Sequence, residues 1–175
     1  MNRFLVLIGL IFAVFVSGCA SVPVKGNTIA AGYGTLVVRP VSFSGVMLEK
    51  TKDYEVGLLE RVRPDHVTAF NSALESKIRK MGYFERVVFS DASLNDTDSL
   101  VLEPKITKVN AGGPWPVPAG VEMVVVVKNA AGTVLGQYGS SRTGNRPIGS
   151  FLPKIIGTLM EELGEDAAQL LPDAR

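Results

Sequence analysis

The sequence predicts an α+β domain: a mixed, largely antiparallel sheet of about five strands with two main helices packed on one face. Three observations predict it. Two segments, from Asp65 to Gly82 and from Ser150 to about Leu171, repeat apolar residues at the three- and four-residue spacing of an amphipathic helix. Between and before them lie short β-branched, alternating runs punctuated by Gly, Pro and Asn turns. With 46% hydrophobic and 20% charged residues among 175, the chain can bury one core of ordinary domain size.

In chain order, Met1-Asn2-Arg3 opens with a positive charge, and Phe4 to Val16 is an almost unbroken apolar run. Thirteen residues rise about 20 Å as a helix, short of a ~30 Å hydrocarbon core, so the run has the length of a signal-peptide core. It ends at Val16-Ser17-Gly18-Cys19, which holds the only cysteine of the chain. These residues resemble the lipobox of bacterial lipoproteins. The resemblance implies cleavage of a signal peptide at residues 1–18, acylation of Cys19 and attachment to a membrane by the acyl chains. Ala20 and Ser21 follow, without an Asp, which in that family implies sorting to the outer membrane, facing the periplasm. Removing residues 1–18 takes away Arg3 alone among the charged side chains, so basic and acidic groups are equal in number in what remains. Anchoring would then fall to the acyl chains, two of which hold a protein stably where one does not.

Residues 19–34 read as the lipidated Cys and a flexible tether, small and Gly-containing, and 35–175 as a single domain. Thr35 to Phe43 reads as a strand in which Pro40 suggests an edge or bulge. Residues 44–63 are mixed and charged, with a short strand or helical turn near Val56 to Leu59. Pro64-Asp65 is a start signal for the first helix. Val67, Phe70, Leu74, Ile78 and Met81 form its apolar face, Lys77, Arg79 and Lys80 suit its C-terminal dipole, and Gly82 ends it. Strands follow at 83–89, 100–109 and 121–128. Asn129-Ala130-Ala131-Gly132 turns a hairpin into a strand over 133–138. After a loop at 139–149, Ser150 caps the second helix, where Gly157 and Gly164 lie on one stripe and would allow close approach to a sheet.

A strand, a helix ending in Gly82-Tyr83-Phe84, and then a short strand resembles a recurring domain of envelope lipoproteins. It is the shape of the TolB N-terminal domain, the curli secretion lipoprotein and outer-membrane activators of peptidoglycan synthases. Phe70, Ala73, Leu74, Ile78, Gly82, Tyr83, Phe84 and Val87 carry the likeness. It implies a fold and an adaptor or assembly role, in the curli case by self-association.

Function classes are narrowed by what the chain lacks. A net charge of +1 argues against a dedicated nucleic-acid binder. One Cys and one His cannot build a disulfide framework or a His/Cys metal site, so no metal or cofactor is expected. His66 reads as a solvated first-turn residue. Glu161, Glu162, Glu165 and Asp166 read as the wet side of the second helix rather than an acid–base pair. Arg142 and Arg146 lie in the 139–150 segment ahead of a helix N-terminus and are the candidate anion site. Trp115, held between Pro114 and Pro116, either folds back to cap the open end of the sheet, as a large aromatic usually does, or is the candidate partner-binding residue, since a stiff loop can present an aromatic side chain at low entropic cost.

The reading favoured by these residues is a lipid-anchored, non-enzymatic binding, adaptor or assembly module, with an envelope protein or a second copy as partner. The alternatives are a small-ligand binder or hydrolase using the 139–150 loop, and a homo-oligomeric secretion component.

Overall fold

The computed structural model describes residues 30, 32–92, 97–113 and 117–171. Cys19 and the signal segment, like Pro114, Trp115 and Pro116, lie outside the described residues. The elements are β1 (Thr35–Val38), β2 (Met47–Glu49), α1 (Asp53–Met81), β3 (Arg86–Phe89), β4 (Ser99–Asn110), β5 (Ala119–Asn129), β6 (Val134–Gly144) and α2 (Leu152–Gln169). They form the expected α+β fold with a six-stranded sheet of order β3-β1-β4-β5-β6. β1 runs parallel to β3 and to the first half of β4, and β2 runs parallel to the far end of β4. The long β4-β5-β6 meander is antiparallel.

Alternation along these strands decides which face is covered. Leu100, Leu102, Ile106 and Val109 of β4, and Val121, Met123, Val125 and Val127 of β5, join the apolar cluster with Phe70, Leu74 and Ile78 of α1. Leu152, Ile156, Leu159, Met160 and Leu163 of α2 complete it. The opposite face carries Glu103, Lys128, Lys108 and Glu122, tied by ion pairs of 2.6 Å for Lys128–Glu103 and 3.5 Å for Lys108–Glu122. The cluster lies wholly between Leu36 and Leu171, so the chain without its first nineteen residues keeps this core.

Several expectations are corrected. The first helix begins at Asp53, twelve residues ahead of Asp65, and Pro64 sits inside it. The buried face continues backward from Phe70 through His66 to Glu55, with Leu59 half-buried between them. The missing amide of Pro64 falls on the exposed side, where water can satisfy the carbonyl of Glu60. Glu55 Oε2 accepts the Lys52 N–H at 3.0 Å, a start signal that a lysine at the cap position disguised. Gly82 ends the helix as expected, with φ 67 and its N–H donated to the Ile78 carbonyl.

β1 stops at Val38, before Pro40, and lies inside the sheet rather than at an edge. Pro40 ends the strand because it has no N–H for the ladder. β2 replaces part of the expected irregular excursion. β6 extends to Gly144, so the first half of the expected 139–149 loop is strand paired to β5. Ser150 does not cap α2: its hydroxyl has no partner, and Phe151 holds the cap position with a proline in the first turn.

The glycine stripe of α2 meets a helix, not the sheet. α1 and α2 run the same way, and a Cβ at Gly164 would lie 2.3 Å from the Phe70 carbonyl oxygen. At Gly157 it would touch the His66 ring at 3.4 Å. His66, expected to be solvated, is buried in this contact, and its Nε2–H donates to the Pro153 carbonyl at 2.8 Å.

Two glycine substitutions test this packing. Gly164→Ala should lower stability by about 1–3 kcal/mol, because backbone must move to admit the methyl group. Gly57→Ala, in α1 with nothing within 4 Å of the new Cβ, should raise it by about 0.5–1 kcal/mol. Urea midpoints of the two variants should therefore move in opposite directions.

Candidate functional site

Arg142 and Arg146 were the charged candidates, and the structure places them on different elements with different partners. Arg142 is in β6, on the helix-covered face, because Val121 opposite it points into the core. Its Nε donates to Asp166 Oδ2 of α2 at 2.7 Å, and Nη2 donates to Oδ1 of the same carboxylate. Ser140 Oγ donates to Asp166 Oδ2 at 2.6 Å, and Glu162 lies 3.9 Å from the guanidinium. Burial alone would raise the Asp166 pKa, but the hydrogen bonds from Arg142 and Ser140 outweigh it and hold the carboxyl below its ordinary range. Of the four acids expected on the wet side of α2, Glu161 and Glu165 are exposed, whereas Asp166 turns inward as a strut between helix and sheet.

Arg146 lies just beyond β6 and donates through Nη1 to the Ala111 carbonyl at 2.7 Å and through Nη2 to Glu55. Glu55 is only 3% exposed. Its desolvation is more than offset by the Lys52 N–H and by Arg146, so its pKa also sits below the ordinary carboxylate value. This buried pair joins three places far apart in the chain: the first turn of α1, the end of β4 and the segment leading to α2. Neither guanidinium is free of a carboxylate, and an incoming anion would have to displace one.

The opposite face of the sheet holds a shallow, open depression of about 160 Å³ at the far end of β4 and β5. Lys108, Asn110, Pro118, Gly120, Ser141 and Thr143 border it. Lys108 is bound to Glu49 at 3.0 Å as well as to Glu122, and these partners raise its pKa. Asn110 Oδ1 accepts the Gly112 N–H at 2.8 Å, fixing the backbone just after β4. Among the described residues no group of three or more His, Cys, Asp or Glu side chains could hold a metal ion, and no helix is long and apolar enough to cross a membrane.

Sequence reasoning missed the two inter-element ion pairs, since spacing carries no signal for contacts 24 and 91 residues apart. It also missed the accessible β6 edge. The absence of Pro and Lys from 134–144 was a usable signal for a strand of that length.

No protein-family model matches the chain, and no curated protein matches it. Solved structures give distant likenesses. A PelC dodecamer from Paraburkholderia phytofirmans is similar at 16% identity over 77% of this chain and 89% of that one, with a TM-score of 0.46. A DUF330-family protein from Xanthomonas campestris is similar at 11% identity over 84% and 89%, with a TM-score of 0.47. A minor lipoprotein from Acinetobacter baumannii is similar at 10% identity over 79% and 92%, with a TM-score of 0.39.

Two measurements probe the site. Arg146→Met should destabilise by about 3–5 kcal/mol, because it strands a buried carboxylate, and adding Glu55→Gln should restore much of that loss. Burial lowers the His66 pKa, so the unfolded chain takes up a proton there more readily than the folded one. Stability should accordingly fall as pH drops below about 6.5, the unperturbed imidazole value. Urea midpoints at pH 7.5 and 5.5 should show a smaller fall in His66→Gln than in the unaltered protein.

Proposed function

We propose that the protein is a lipid-anchored component of the bacterial envelope, attached through Cys19 to the outer membrane and facing the periplasm. There it acts as a binding or assembly module without catalysis. The observation that carries this reading is Val16-Ser17-Gly18-Cys19 at the end of the Phe4–Val16 apolar run, with the only cysteine in the acylation position.

The fold supports the binding role with a specific surface. β6 pairs only with β5 among the described residues, so the main-chain donors and acceptors of alternate residues along this eleven-residue strand are available on its outer side. Edge strands of this length are usually blunted by Lys, Pro or an inward charge. β6 contains a single charged residue, Arg142, which Asp166 neutralises. A strand from an envelope protein or from a second copy can add to this edge through main-chain hydrogen bonds. Arg142 and Arg146 are both engaged by carboxylates in holding elements together, which gives the anion-binding alternative less support than the edge.

Cys19→Ser tests the reading directly. The variant should lose metabolic labelling by fatty acid and accumulate as an uncleaved or mislocalised precursor on immunoblots of fractionated cells. Labelling retained in that variant would refute the lipid anchor.

A further inference from the structure

Of the seven large apolar side chains left in water among the described residues, five stand at one end of the domain, while Phe89 ends β3 and Val134 follows the β5–β6 hairpin. Ile148 is 94% exposed, and Tyr54, Met47, Phe151 and Leu48 are also exposed. The topology brings them together. β2 lies beside the last residues of β4, with Leu48 opposite Val109, and leads through residues 50–52 into the first turn of α1, which holds Tyr54. The Glu55–Arg146 pair ties that turn to the segment after β6, where Ile148 and Phe151 follow. Met47 and Leu48 lie in the short β2, Tyr54 in the first turn of α1, and Ile148 and Phe151 on the connection between β6 and α2. Together these short or terminal segments form the tip.

The charges around them are unbalanced. Glu49 and Glu55 are spent on Lys108 and Arg146. Lys50, Lys52 and Lys154 are exposed and hold no ion pair among the described residues, and the exposed Asp53 lies beside Lys52. Lys50 adopts φ 54, an uncommon conformation for a non-glycine residue, as the chain turns sharply between β2 and α1. The Lys52 ammonium lies 5.9 Å above the Tyr54 ring. Aliphatic and aromatic side chains interleaved with long cationic ones match the boundary of an anionic bilayer. There Tyr and Phe sit at headgroup depth, and lysines reach outward to phosphates.

We propose that this tip, built on Met47, Leu48, Tyr54, Ile148 and Phe151 with Lys50, Lys52 and Lys154, docks on an anionic lipid surface. The chain enters the domain at the opposite end, where Thr35 of β1 lies beside Ser99 at the start of β4. The twelve residues of β4 separate the two ends by roughly 40 Å at about 3.3 Å per residue. The tip is thus a lipid contact distinct from Cys19. It can meet the anchoring bilayer when the domain lies along it, or a facing bilayer when the domain stands upright.

Because the proposal does not depend on acylation, it is tested without acyl chains. The chain from Ala20 onward, which keeps the whole core, is sedimented with phosphatidylglycerol vesicles and with phosphatidylcholine vesicles. It should bind the anionic vesicles at least tenfold more tightly, with affinity falling as salt rises. Ile148→Asp combined with Phe151→Asp should reduce that binding at least tenfold, and so should Lys50→Glu with Lys52→Glu and Lys154→Glu. Both sets are exposed and should leave the thermal midpoint within a few degrees of the unaltered chain. Absence of vesicle binding by the folded chain would overturn the proposal, as would binding unchanged by either set. Concentration-dependent dimerisation that the apolar set abolishes, without vesicle binding, would overturn it in favour of a contact between copies. A failed Cys19 labelling experiment with intact vesicle binding would remove the anchor and leave the tip standing.

Discussion

The close approach of α1 and α2 governs the rest of the molecule. Gly164 has no room for a methyl group against the Phe70 carbonyl, and Gly157 stands against the His66 ring. Two helices that touch through backbone are fixed in rotation and in register, because sliding either one would drive side chains into main chain. That register presents His66 to the Pro153 carbonyl, a contact between residues 87 apart in sequence. It also aims Asp166 at Ser140 and Arg142 on β6, so the outermost strand is bound to the helix layer by charge as well as by packing. With α2 held on β5 and β6, the segment between β6 and α2 must turn back at the tip, where Arg146 locks it to Glu55 and to the end of β4.

Much of this was legible along the chain where one physical signal acted alone. The face Phe70, Leu74, Ile78 and its stop at Gly82 follow from period and from left-handed backbone, and all were found. The hairpin at Asn129–Gly132 was found too, because Gly132 takes φ 82 and Asn129 Oδ1 accepts the Thr133 N–H at 2.9 Å. Errors arose where two signals conflicted. Pro64 resembles a helix start but is carried inside α1 on a wet face, and the polar Glu55 and His66 interrupt an apolar stripe to which they belong. The polar run from Gly139 to Gly144 resembles a loop, but it is the alternating partner of an apolar strand. Long-range pairs such as Arg146–Glu55 left no trace in local spacing. The candidate anion site follows the same pattern: Arg142 and Arg146 are both engaged by carboxylates in holding elements together.

A division of labour emerges from where the charges go. Asp166, Arg142, Glu55 and Arg146 on the helix side are matched to one another, and the ion pairs on the opposite sheet face join neighbouring strands. What remains available is the main chain along β6 and the apolar, lysine-flanked tip. We propose both as surfaces for meeting something else, one by strand addition and the other by lipid contact. A module of this kind gains from being held at a membrane, since a tether raises the local concentration of every weak contact it makes. Its N-terminal sequence is suited to provide that tether, and the surfaces and the anchor thus form one account.

The measurement that tests this account most directly is the intact mass of the protein extracted from membranes with detergent. The account predicts a chain beginning at Cys19, heavier than its residues alone by the mass of a diacylglyceryl group, with or without a further amide-linked acyl chain. A chain retaining residues 1–18, or one that is cleaved but carries an unmodified cysteine, would contradict it.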